Sequence, residues 1–201
     1  MRHVAGCAEP CLVSSGRGVF DNVASARQAK TDWFMADKVG FIKQLIKELV
    51  NFEKLCAKNG VVPYVRLNVL SDIQWELKAN GSIPQTFRNI NFFDYTKIAK
   101  RLTKLPANYE LMFSYSNAPE YRGQVDLALK TDVPMSVVGL GTMPVTFMGK
   151  PCVNGDNSDI ENLKQRGHIV WLKYKVAKGK GINPADSIFV VDMNRIGMQT
   201  V

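Results

Sequence analysis

Residues 90–116 read INFFDYTKIAKRLTKLPANYELMFSYS, and the alternation within them decides the fold. INFFDYT (90–96) has the β-branched and aromatic content of a strand, YTKIAKRLTKL (95–105) spaces its apolar residues at helical steps, and YELMFSYS (109–116) returns to strand composition. Two strands separated by a helical segment of roughly ten residues pair in parallel through a right-handed crossover. This stretch therefore predicts an α/β sheet.

The same rhythm extends outward in both directions. Upstream, VVPYVRLNVL (61–70) reads as a strand and DIQWELKAN (72–80) as a short helical or loop segment closing at Gly81. Downstream, PEYRGQVDLALK (119–130) follows as a helix and PMSVVGLG (134–141) as a strand. PVTFMGKPCVNGD (144–156) holds one or two short strands, and HIVWLKYK (168–175) and SIFVVD (187–192) finish the set. Before all of these, one apolar helical face runs from about Ala24 to Lys58 through Phe34, Phe41, Ile42, Leu45, Leu49, Phe52, Leu55 and Cys56. A break is expected near Asp37 to Gly40, and a stop at Asn59-Gly60. The expected architecture over 1–201 is a single α/β domain with a mostly parallel sheet and alternating helices. About six or seven strands suit a partial or irregular (βα) barrel, with an open doubly wound sheet as the alternative.

A chain of 201 residues, 46% of them hydrophobic, can build a genuine core. The 26 Lys and Arg against 18 Asp and Glu leave a net charge of +8, which favours polyanionic partners. No apolar run reaches the roughly 18 residues of a membrane span, and no secretory pattern opens the chain; a cytoplasmic protein is expected, within a host cell. Four cysteines, at 7, 11, 56 and 152, are too few and scattered for a disulfide scaffold.

In a parallel sheet the carboxyl ends of the strands carry the working face. Those ends supply Arg66, Asn68, Ser71, Asp72, Asp94, Tyr95, Lys97, Ser114, Ser116, Gly139, Gly141, Asp156 and Lys173. Arg66 and Asn68 share one side of their strand by the period of two, and Asp72 or Asp94 are natural partners for them. Asp72, Glu76 and Asp94 are candidate catalytic carboxylates, of the type that holds Mg²⁺ for phosphodiester chemistry.

Two basic segments invite phosphate. In the N-terminal segment (1–32), SSGRG (14–18) offers backbone N–H groups and Arg17 to an anion, with Arg27 and Lys30 one turn apart on the following helix. In the loop at 172–187, Lys173, Lys175, Lys178 and Lys180 are interleaved with Trp171 and Tyr174, whose rings suit base stacking. Cys7 and Cys11 stand as candidate metal ligands, with Cys56 or Cys152, or nitrogen from His3 or His168, needed to complete an iron–sulfur or zinc site.

CAEPCLVSSGRGVF (7–20), NVASAR (22–27), AKTDWF (29–34), VRLNVLSDIQWE (65–76), FFDYTK (92–97), LPANYELMFS (105–114) and PVTFMGKPCVNGDNSD (144–159) resemble successive blocks of a family carried by tailed phages and plasmids, the mycobacteriophage gene-product-88 group. The resemblance covers most of the chain in order and implies a phage or mobile-element accessory protein. It also implies a distant likeness to iron–sulfur, radical-SAM-type barrels, whose cluster needs three close thiolates; here only Cys7 and Cys11 lie together.

The chain has no Walker loop, no H-E-x-x-H, no G-x-S-x-G elbow, and only two glycines in VVGLGTMP, so these enzyme classes are set aside. The leading expectation is a protein that binds nucleic acid or nucleotide phosphates through Arg17, Arg27, Lys30, Arg66, Asn68, Lys97, Lys173 and Lys175. The alternatives are a cluster- or metal-dependent enzyme and a host-takeover protein whose partner is a host protein.

Overall fold

The computed structural model describes residues 20–69, 71–175 and 187–196. Its strands form one mixed, mostly parallel sheet of eight, in the order β1-β2-β3-β4-β7-β6-β5, with β8 beside β4. The strands are β1 (Tyr64–Arg66), β2 (Asn91–Thr96), β3 (Tyr109–Ser114), β4 (Met135–Leu140), β5 (Thr146–Phe147), β6 (Lys150–Asn154), β7 (Ile169–Lys173) and β8 (Val191–Asp192). Registers run in parallel from Tyr64↔Asn91 through Phe113↔Met135, Met135↔Ile169 and Cys152↔Ile169, whereas the β5–β6 hairpin is antiparallel.

The sheet is open, with β1 and β5 at its two ends, and does not close into a barrel. The cause lies after β4. The chain passes to the hairpin β5–β6 and returns as β7 beside β4, so the order reverses where a barrel needs it to advance. The helical connections are also shorter than their periodicity implies. YTKIAKRLTKL yields only a 3₁₀ turn at Ala99–Thr103, in which Arg101 is buried rather than solvated.

The described elements group into two units. The first holds residues 20–94 and 104–110. Its helices α1 (Asp21–Ala36) and α2 (Lys38–Asn59) meet at Asp37, whose φ of −140° leaves the helical region and whose carboxylate accepts from Gly40 N at 2.8 Å. Gly40 leaves room for that cap, because a Cβ there would displace the Asp37 carboxylate. Gly60 stops α2 at φ 64°, with Val61 N donating to Cys56 O at 3.1 Å. The inward face of α2 buries Leu49 and Cys56, and Phe41 meets Phe34 and Trp33 edge to face at 5.3 and 5.2 Å. Around the short α3 (Ile83–Thr86), Asn108 Nδ2 donates to the carbonyls of Pro84, Phe87 and Ile90, which joins that turn to the start of β3.

The second unit holds residues 95–103 and the described residues from 111 onward. Met112, Phe113, Val137, Ile169, Val170 and Trp171 are buried along its strands, and α4 (Arg122–Leu129) buries Val125 and Ala128. Gly139 leaves the space that the Trp171 ring occupies. The short helices α5 (Asp159–Leu163) and α6 (Met193–Ile196) complete it, with Val138, Tyr174, Phe189 and Val190 clustered beside β8. Among the described residues no helix is long and apolar enough to cross a membrane.

Candidate functional site

In the first unit the strand-end residues close on one another. β1 ends at Arg66, and Asn68 lies just beyond it, fully buried. Asn68 N donates to Asp94 Oδ1 at 2.7 Å, and its Nδ2 donates to Asp94 Oδ2 and to Ile73 O, both at 3.0 Å. Its Oδ1 accepts from Ser71 Oγ at 2.7 Å and from Ile73 N and Trp75 Nε1, both at 3.1 Å. Tyr109 OH adds a bond to Asp94 Oδ2 at 2.8 Å, and Arg66 Nε donates to Asn68 O at 3.0 Å.

Asp94 has no exposed surface, and burial raises its pKa to about 7, outweighing the donors from Asn68 and Tyr109 and the Arg66 charge. This network shapes the loop after β1 and is closed to solvent at Asp94. Asp72 and Glu76 are half-buried. Among the described residues no group of three or more His, Cys, Asp or Glu side chains is placed to hold a metal ion, so Asp72, Glu76 and Asp94 do not gather into one.

In the second unit Lys97 is 7% exposed. Its ammonium donates to Ser114 O and Ser114 Oγ at 3.1 Å and to Tyr115 O at 3.2 Å, and sits 4.7 Å from the centre of the Phe189 ring. Those acceptors take its protons, so Lys97 ties the tip of β2 to that of β3. Tyr95 OH donates to Asp159 Oδ1 at 2.8 Å, and the buried Ser116 Oγ accepts from Ala118 N. Lys175 pairs with Asp156 at 3.0 Å, while Lys173 is exposed. Trp171 and Tyr174 are 4% and 6% exposed, so neither ring offers a face to a base. Trp171 instead meets Phe147 edge to face at 6.1 Å, and Tyr174 belongs to the β8 cluster. His168 Nδ1 lies 2.7 Å from Arg166 O, and burial raises the half-buried Cys152 thiol.

The exposed cations gather elsewhere, on α2. Lys43, Lys47, Lys54 and Lys58 are all exposed, and at 100° per residue they fall within about 60° of the helix circumference. They span about 22 Å of helix, nearly opposite Leu49 and Cys56. The neighbouring carboxylates are engaged otherwise: Glu48 accepts from Gln44 Nε2 at 2.9 Å and Glu53 from Asn89 Nδ2 at 2.8 Å. None of the four lysines pairs with a carboxylate among the described residues. On α1 Lys30 is exposed and Arg27 half-buried, one turn apart as expected. The 4-7-4 spacing of the α2 lysines is legible in the sequence through the helical period alone.

Residues 2–185 match the profile of the family described as Gene product 88. The chain belongs to the gene product 88 family. The resemblance drawn from the sequence blocks is thus borne out over most of the chain, and a phage gene product is its natural description. No curated protein and no solved structure matches it. The gene product 88 match includes Cys7, Cys11 and Arg17 near its start and Lys178 and Lys180 near its end. These five residues, and His3, lie outside the described residues.

Proposed function

We propose that this gene product 88 protein binds nucleic acid by its phosphate backbone, through the lysine face of α2 with Lys30 and Arg27 of α1 as additional cations. The observation that supports this reading is that Lys43 and Lys47, and Lys54 and Lys58, stand at i,i+4 on the exposed face of α2, with none of the four paired to a carboxylate among the described residues. Such pairs weaken a helix by about 0.2–0.5 kcal/mol each, and a surface helix ordinarily alternates Glu with Lys at this spacing. An anion laid along the face removes the repulsion, and the chain's net charge of +8 draws a polyanion toward it.

The strand-end residues serve a different purpose in this account. Asn68, Asp94 and Lys97 hold the tips of the sheet together, so phosphate contacts come from the helix and not from the sheet. The test is the salt dependence of binding to short oligonucleotides. With all four lysines changed to alanine, affinity and the slope against log salt fall together; binding that does not weaken with salt contradicts the proposal.

A further inference from the structure

Resting on that reading, we infer that the ligand is duplex DNA, that α2 lies in its major groove, and that Asn51 contacts a base edge there. Asn51 stands midway between Lys47 and Lys54 and within about 80° of Lys43 on the helix circumference, on the same outward face. It is exposed, and its side chain makes no hydrogen bond among the described residues. Asparagine in an exposed helix interior is less favourable than alanine, so α2 gains nothing locally from it. Its amide carries the donor and acceptor that match N7 and N6 of adenine in the major groove. One turn on, Leu55, expected from its spacing on the apolar face, is instead 56% exposed, an apolar side chain suited to the methyl group of thymine. A polar reader and an apolar neighbour thus sit at the centre, with lysines at both ends for the flanking phosphates.

The choice of duplex DNA over other nucleic acids follows from shape and from the rings. A helix about 10–12 Å across fits a B-form major groove about 12 Å wide. The major groove of A-form RNA is too deep and narrow to be read this way. Single-strand binding relies on aromatic side chains on which bases stack. The rings of α2, Phe41 and Phe52, are half-buried on the side away from the lysines, and Phe41 is engaged by Trp33 and Phe34.

The experiment is selection from a randomised duplex DNA library with the full chain and with Asn51→Ala, followed by salt titrations on the selected duplex, a scrambled duplex, single-stranded DNA and double-stranded RNA. Alanine is the better helix former, so α2 persists in the variant. The wild-type chain is expected to enrich sites with an A·T pair at a fixed position and to hold them roughly tenfold more tightly than the scrambled duplex. Asn51→Ala loses that preference, while the salt slope, which counts phosphates, keeps its value. Equal binding of single strands or of RNA duplex, or the same sites enriched by Asn51→Ala, overturns the inference and leaves the phosphate reading standing. Absence of salt-dependent binding to all four overturns both.

Discussion

Asn68 and Asp94, twenty-six residues apart in sequence, join the loop after β1 to β2 by two hydrogen bonds, at 2.7 and 3.0 Å. The Asn68 side chain takes part in five bonds in all, reaching Ser71, Ile73 and Trp75 as well. Asn68→Ala takes the acceptor from the Trp75 indole N–H and from Ile73 N, while Asp94 keeps Tyr109 OH on Oδ2 and the backbone N–H of residue 68 on Oδ1. The expected cost is roughly 3 kcal/mol or more, read as a lower urea midpoint with unchanged m-value. A midpoint equal to that of the wild type would show the network to be incidental.

The Asp94 carboxyl gives a pH dependence whose sign is fixed. Its folded pKa, about 7, lies above the ordinary 3.8, so the folded state holds the proton more tightly than the unfolded chain. Stability from this group is full below about pH 4, declines as pH rises, and levels off above about 7, a change on the order of 4 kcal/mol. The groups facing it are Arg66, Asn68 and Tyr109. Unfolding free energies of the wild type and Asp94→Asn, measured from pH 4 to 8, should differ by an amount that changes across this window. A constant difference would place the carboxyl's titration elsewhere.

Gly40 and Asp37 should be energetically coupled. Glycine to alanine inside a helix ordinarily stabilises by roughly 0.5–1 kcal/mol. At residue 40 the new Cβ drives away the carboxylate that caps α2, and losing that cap, about 1 kcal/mol, cancels the gain, so Gly40→Ala is expected to leave stability nearly unchanged. In the Asp37→Ala background, with no carboxylate to displace, the same change should stabilise. A double-mutant cycle by thermal unfolding checks this difference between the two backgrounds; additivity would deny the coupling.

Lys97→Met keeps the aliphatic reach toward Phe189 but removes the ammonium from Ser114 and Tyr115. The loss of stability should be roughly 2–3 kcal/mol, because buried acceptors are left unpaired. Chemical denaturation measures it. Full stability in the variant would show that the ammonium does not bind the strand tips together.

The parts of this fold that local chemistry dictates were legible in the sequence. Asp37 and Gly40 mark the helix break, Gly60 the stop, and the apolar runs at 91–96, 109–114, 135–140 and 169–173 the central strands. What stayed hidden depends on which polar groups turn inward. Lys97 reads as a strand-end cation open to phosphate and Arg101 as part of a helix after β2, but both are buried, and the segment tightens to a single 3₁₀ turn. Trp171 and Tyr174 look like stacking aromatics beside lysines, yet both are buried, Trp171 within β7 and Tyr174 just beyond it. Tyr109 could not be paired with Asp94 from spacing, since that contact arises only when β2 and β3 lie side by side. The lysine face of α2 needed only the helical period to be seen.

Salt titration of nucleic-acid binding tests the central claim most directly, with two charge-matched variants compared. One carries alanine at Lys43, Lys47, Lys54 and Lys58; the other carries it at the exposed Lys100, Lys104, Lys130 and Lys164. The first is predicted to lose up to roughly 3 to 4 units of slope in log affinity against log salt, and the second to stay close to the wild type. Equal losses in both would mean that net charge alone attracts the polyanion and that the α2 face has no special part.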